Sequence, residues 1–208
     1  MIDFLFLDKN KCYGCKENEA TVHHLCKDCL KKLDYVANKF QIEGHKAHAI
    51  YFYNNSMKKL IADYKFNRNT SLAKVFASMI YDYARVNDLF DCDFILPSPS
   101  SKLTINTRGF DHIKKITDVF IDDIGPTYLE GFRKVKETKA QHNLNKEERA
   151  LNLKNAFYFQ GDLENKSVLL IDDLITTGNT ALEIINTLEK AKAKEVKVLA
   201  ITSERRVI

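Results

Sequence analysis

Apolar positions in the second half of the chain follow a strand, helix, strand rhythm. Val168-Leu-Leu-Ile171 and Val196-Lys-Val-Leu-Ala-Ile201 are short apolar runs rich in branched side chains, and the stretch between them, from about Gly178 to Ala191, has helical character. Earlier in the chain, Ala49–Tyr53 and Phe94–Leu96 read as strands, the second halted by Pro97-Ser-Pro99, and Thr127–Leu129 and Ala156–Phe159 have weaker strand character. Leu72, Val75, Phe76, Met79, Ile80 and Tyr83 recur at helical spacing behind Thr70 or Ser71, which predicts a helix with a buried stripe. Further helices are expected over Leu30–Phe40, from a Ser56 cap to about Asp63, and around Ile113, Ile116, Val119 and Phe120. Residues 131–155 lack a sustained period and predict a mobile loop passing into a short helix near Lys146–Leu153. Apolar strands separated by helices imply an α/β fold whose parallel sheet is covered on both faces, with any ligand at the carboxyl ends of the strands.

Composition narrows this little. With 208 residues, 45% hydrophobic and 29% charged, and only 7 Gly and 3 Pro, the chain is neither fibrous nor broadly disordered. Its size permits a packed core without disulfide staples. No run approaches the roughly 18 apolar residues of a membrane span, and the apolar start Ile2–Leu7 is interrupted by Asp3 with no basic segment before it, so a cytoplasmic protein is expected, with peripheral placement at the inner membrane left open. The net charge of +4 is unevenly spread: residues 9–32 carry +3 and residues 131–154 carry +4, which leaves −3 for the remainder. Two such segments can attract phosphates, or can be solvated loops.

Four of the five cysteines form two close pairs, Cys12-Tyr-Gly-Cys15 and Cys26-Lys-Asp-Cys29, separated by ten residues. Each turn can aim two thiolates at one point, and together they complete the tetrahedron of a closed, structural zinc site. Gly14 suits the tight turn, and His23 or His24 within the spacer could replace one ligand. A redox pair or a disulfide pair is the competing reading. Cys92 stands apart, before an apolar strand, as a small core residue.

The candidate chemistry sits after Val168–Ile171, where Asp172-Asp173 is followed by Leu174-Ile-Thr-Thr-Gly-Asn-Thr180 and then a helix. Carboxylates at a strand's end accept hydrogen bonds from vicinal hydroxyls, while hydroxyl side chains, Gly178 and the helix N-terminus suit an anion. Acids for a sugar beside donors for a phosphate describe a sugar phosphate. Neither GxGxxG after a strand nor GxxxxGK[ST] occurs.

The segment Val168–Thr180 resembles the phosphoribosyl pyrophosphate motif of type I phosphoribosyltransferases. The four-cysteine ribbon, Lys65-Phe66, Ile95-Leu-Pro-Ser-Pro99, Arg108-Gly-Phe110 and the basic stretch Gln141–Asn152 extend the resemblance over nearly the whole chain, to the ComF family of competence proteins. The resemblance implies a zinc ribbon over residues 1–40 and a phosphoribosyltransferase-like domain over residues 41–208. It places the ribose hydroxyls on Asp172 and Asp173, the 5′-phosphate on Thr176, Thr177, Gly178, Asn179 and Thr180, and the pyrophosphate on the loop Pro97–Ser101 with Ser98 and Ser100. Lys102 and Arg108 are the candidate cations, Mg²⁺ would accompany the pyrophosphate, and Arg133–Asn145 corresponds to a lid. Asp111-His112 stands where the family commonly has Asn-Gln. The implied role is to bring single-stranded transforming DNA into the cytoplasm beside a ComFA-like helicase, with no membrane insertion. The basic segments would meet the DNA, and Tyr35, Phe40, Tyr51 or Phe66 would stack its bases. A structural adaptor and a salvage phosphoribosyltransferase of unknown acceptor, with His112 or His142 as a candidate base, are the alternatives.

Overall fold

The computed structural model describes residues 10–67, 69–136 and 153–205. The central sheet has six strands: β1 (Tyr35–Ile42), β2 (His45–Phe52), β3 (Phe94–Pro97), β4 (Thr127–Tyr128), β7 (Ser167–Ile175) and β8 (Glu195–Ser203). They lie side by side in the order β1-β2-β8-β7-β3-β4. Every neighbouring pair is parallel except β1 with β2, which form an antiparallel hairpin at one edge. Arg133–Lys134 (β5) and Phe157–Tyr158 (β6) form a separate antiparallel pair.

Helices cover both faces of the sheet. On one side lie α2 (Asn55–Phe66), α3 (Leu72–Val86) and α5 (His112–Thr117), following the short α1 (Lys27–Lys31) and joined by α4 (Lys102–Arg108); α6 (Asn179–Lys190) covers the other. The period-two alternation of β7 divides the core. Leu169 and Ile171 pack with the α2, α3 and α5 side, whereas Val168 and Leu170 pack with the α6 side. The stripe expected of α3 is buried throughout. The cysteine pairs do not form a core of their own: Cys12, Tyr13, Leu25 and Cys26 join the cluster that contains Phe76 and Ile80 of α3.

Three local expectations change. Leu30–Phe40 is not one helix, because α1 ends at Lys31 and the chain enters β1, whose buried Asn38 and Ile42 face inward against the β2 register. A bulge at Ala37, with φ of 46°, lets β1 start at Tyr35, so residue 40 lies inside a strand of the sheet. Helix α2 is capped by Asn54, whose Oδ1 accepts from the Met57 amide at 2.9 Å, rather than by Ser56. Val119 is exposed, beyond the end of α5, while Ile113, Ile116 and Phe120 are buried as expected. The expected helix near Lys146–Leu153, Gln141 and His142 lie outside the described residues, except for the buried Leu153. No helix among the described residues is long and apolar enough to cross a membrane.

Candidate functional site

Strand β7 runs on past Ile171 through the acid doublet to Ile175, paired with β8 by Asp172 opposite Ala200 and Leu174 opposite Thr202. Its other neighbour stops short. β3 ends at Pro97, which is level with Ile171, and the Ser98 amide makes a last bond to the Ile171 carbonyl at 2.8 Å before the chain turns away. The doublet therefore stands on a step at the carboxyl end of the sheet, open on one flank to the loop Pro97–Ser101.

Because strand neighbours point to opposite faces, the two acids do different things. Asp172 lies on the α6 side and lines a small hollow with Thr176, Thr177, Gly178, Asn179 and Thr180. Its Oδ1 accepts from the Asp173 amide at 2.9 Å. Burial, with the adjacent Asp173 charge, pushes its carboxyl up to about 7. Asp173 projects to the opposite face and meets Lys65 from the end of α2 in an ion pair and His112 Nε2 from the start of α5 at 3.5 Å. Burial works to raise Asp173, but these two partners outweigh it and hold the carboxyl well below the usual carboxylate range.

Gly178 carries φ of 88° at the entry to α6, and a Cβ there would come 3.4 Å from Ile42 of β1. The backbone of the loop is also braced from behind: Arg205 Nη2 donates to the Thr177 carbonyl at 3.1 Å while its guanidinium lies 4.8 Å over the Phe40 ring. On the other side of the step, Ser100 Oγ lies 3.1 Å from His112 Nδ1, and Ser101 caps α4 by accepting from the Thr104 amide. Lys102 is exposed at the start of α4. Arg108, at the end of the same helix, has buried Nε and Nη1 atoms without a partner among the described residues. Such orphaned charged donors fit an anion, and the two acids with their hydroxyl neighbours fit a polyhydroxylated, phosphorylated ligand with its divalent cation.

All eleven residues expected around the sugar phosphate thus lie on two segments at one end of the sheet, the end of β3 through α4 and the end of β7 into α6. Lys65, His112 and Arg205 join the surroundings of the site without belonging to the expected binding set; Lys65 and His112 are singled out in the sequence only by the family resemblance and as a candidate base, and Arg205 carries no signal there. Of the aromatic residues considered for stacking, Tyr51 is buried and Phe40 is covered by Arg205, whereas Tyr35 and Phe66 are exposed. A second, more open groove of about 370 Å³ between Phe157–Gly161 and α6 contains none of the expected residues.

The four cysteines converge, their sulfur atoms all within 4.8 Å of one another. Cys15 Sγ and Cys26 Sγ are 3.8 Å apart, close to the separation of about 3.8 Å that a tetrahedron with metal–sulfur bonds of about 2.3 Å requires. Backbone donors at Asn18 and Glu17 pull the Cys15 thiol down to about 6, whereas burial and the neighbouring sulfurs raise Cys29. The donor set therefore suits a soft divalent cation such as zinc. The histidines of the spacer are engaged elsewhere: His23 Nδ1 lies 2.9 Å from Ser78 Oγ on α3, and His24 stacks on Tyr13. A Cβ on Gly14 would lie 3.2 Å from Leu25 and 3.3 Å from Cys29 Sγ, so a larger residue would make those neighbours shift by a few tenths of an ångström.

Comparison with known proteins agrees with this geometry. The profile of the phosphoribosyl transferase domain matches residues 103–206. The competence protein ComFC of Streptococcus pneumoniae is 29% identical over 94% of this chain and 81% of its own length. Competence protein F of Haemophilus influenzae is 27% identical over 90% of this chain and 87% of its own. The DNA utilization protein YhgH of Escherichia coli K12 is 24% identical over 92% and 83%. From the domain match and the sheet with its acid-to-threonine loop, the chain belongs to the phosphoribosyl transferase domain family, in the company of competence and DNA utilization proteins.

Proposed function

We propose that this protein is a competence factor that handles single-stranded DNA during its entry to the cytoplasm and binds phosphoribosyl pyrophosphate at the end of β7. The observation that carries the reading is the shared hollow of Asp172 and Thr176–Thr180, in a chain whose relatives along most of its length are competence proteins. Asp172 accepts from a ribose hydroxyl, and the loop entering α6 takes the 5′-phosphate through its hydroxyls and first-turn amides. The pyrophosphate lies toward Ser98, Ser100, Lys102 and Arg108. Mg²⁺, when bound, supplies charge neutralisation on the pyrophosphate oxygens. Should the chain transfer the sugar, Asp172 and Asp173 hold it while an acceptor displaces pyrophosphate at the anomeric carbon, and Arg108 and Lys102 meet the departing charge.

The DNA follows the exposed lysines of the two basic segments. Lys11, Lys16, Lys27, Lys31 and Lys32 are exposed around the cysteine pairs, and Arg133, Lys136 and Lys154 are exposed at the second segment. Lys9, Lys139, Lys146 and Arg149 lie outside the described residues, as does most of the expected lid beyond Lys136. Arg133 lies 4.8 Å over the exposed Tyr158 ring, a pairing of cation and π-face that suits a stacked base. A ComFA-like helicase is the expected partner in the same machinery.

A titration of phosphoribosyl pyrophosphate with Mg²⁺, run with and without single-stranded DNA, tests the reading. Binding of both, with DNA affinity falling steeply as salt rises, is the expected result. Heat from neither ligand would leave the adaptor reading, and pyrophosphate release with a nucleobase would favour the salvage enzyme.

A further inference from the structure

A chain of polar contacts crosses from one half of the candidate pocket to the other. Ser100, on the loop after β3, meets His112 Nδ1 at 3.1 Å, and His112 Nε2 faces Asp173 Oδ1 at 3.5 Å. The imidazole is buried and anchored: the Tyr64 hydroxyl donates to the His112 carbonyl at 2.7 Å, and Ile113 and Ile116 of the same helix are fully buried. Lys65 holds Asp173 from α2, and Asp111 reaches back to the Ser100 amide at 3.4 Å. The imidazole thus touches both the loop and an acid of the doublet.

We propose that His112 is a positioning residue that couples the loop Pro97–Ser101 to Asp173, so that the pyrophosphate and sugar portions of one ligand bind cooperatively. This rests on the phosphoribosyl pyrophosphate reading given above. A ring with one nitrogen on each partner transmits a shift of either one, because moving Ser100 toward a phosphate reorients the imidazole and alters what Asp173 must accept from elsewhere. The two halves belong to strands that separate after the bond from the Ser98 amide to the Ile171 carbonyl, short of Ser100 and Asp173.

Calorimetric titrations with phosphoribosyl pyrophosphate and with ribose 5-phosphate, both with Mg²⁺, test the coupling in Ser100→Ala, His112→Leu, the double variant and His112→Gln. Thermal unfolding confirms that each variant is folded. Ser100→Ala and His112→Leu should each weaken phosphoribosyl pyrophosphate roughly tenfold, and the double variant should lose no more than the worse single one. His112→Gln, which keeps a polar group toward both partners, should stay within about threefold of the wild type. Ribose 5-phosphate, which has no pyrophosphate, should lose less than about threefold in every case. Multiplying losses in the double variant, or equal losses for the two compounds, would overturn the coupling. A wild-type chain that binds neither compound would overturn the pocket assignment, and the coupling with it, before any variant is compared.

Discussion

The cysteine turns and the acid step solve opposite problems. Between Cys12 and Cys29 the chain gathers four sulfurs that have no cation of their own, and their pKa values are driven apart, with Cys15 lowered and Cys29 raised. At the step, Asp173 is already paired with Lys65 and faces the His112 ring before any ligand arrives. A cation held by those sulfurs would stabilise the first region. The second is complete without its ligand, so a ligand must replace existing contacts or use those left over, such as Asp172 and the orphaned Arg108 donors. A candidate structural centre and a candidate binding centre differ in this way even when both are built from buried polar groups.

Four experiments sharpen that contrast. Stripping zinc with a chelator should have the largest effect, since structural zinc in isolated fingers contributes ~10–16 kcal/mol of apparent binding energy. Amides of residues 12–29 should lose hydrogen-exchange protection while those of β7 and β8 keep theirs; unchanged protection in metal-free protein would break the contrast. Next, Asp173→Ala leaves the half-buried Lys65 beside an empty space and should cost about 3–5 kcal/mol in chemical denaturation. Lys65→Met/Asp173→Leu should recover most of that loss, and a double variant as unstable as the single one would count against a self-balanced step.

A smaller loss, about 1–3 kcal/mol, is expected for Gly14→Ala, which crowds Leu25 and Cys29. Gly125→Ala, where a Cβ meets nothing within 4 Å, is the control and should be silent. The smallest effect concerns pH. Asp172 binds its proton more tightly in the folded than in the unfolded chain, so its contribution to stability falls as pH rises from about 4 towards about 7. His112, lowered by burial, acts in the opposite sense below its ordinary range. The difference between wild type and Asp172→Asn isolates the first effect: the thermal midpoint of the variant should gain on the wild type between pH 5 and pH 8. Parallel pH profiles would show that Asp172 is ionised throughout.

What could be read without the structure depended on how far apart cooperating residues lie along the chain. The cysteine pairs and Asp172–Thr180 are contiguous, so spacing alone revealed them, and the apolar strands on either side fixed the βαβ unit. Lys65 and His112 reach Asp173 from two other helices, and their identity as partners depends on which face of β7 the second acid takes. The alternation of Leu169, Ile171 and Asp173 contains that information, but only once the helices on that face are known. Leu30–Phe40 misled for a related reason: its mixed pattern fits a short helix, and the pairing with β2 and the bulge at Ala37 outweigh local preference. The pattern of Val168–Ile171 predicts a strand that stops at the acids, because charge usually terminates a buried strand. Here the long neighbour β8 carries the hydrogen bonding onward.

The packing of the cysteine turns against the interior has a consequence for oxidative stress. Cys12 and Cys26 share one continuous apolar cluster with Phe76 and Ile80 of α3 and with Ile113 and Ile116 beneath His112. An oxidant that ejects the ion and joins two of these sulfurs would withdraw packing from under the imidazole as well as unravel the amino-terminal turns. Damage at a thiol would then be felt at the acid step through nothing more than dispersion contacts.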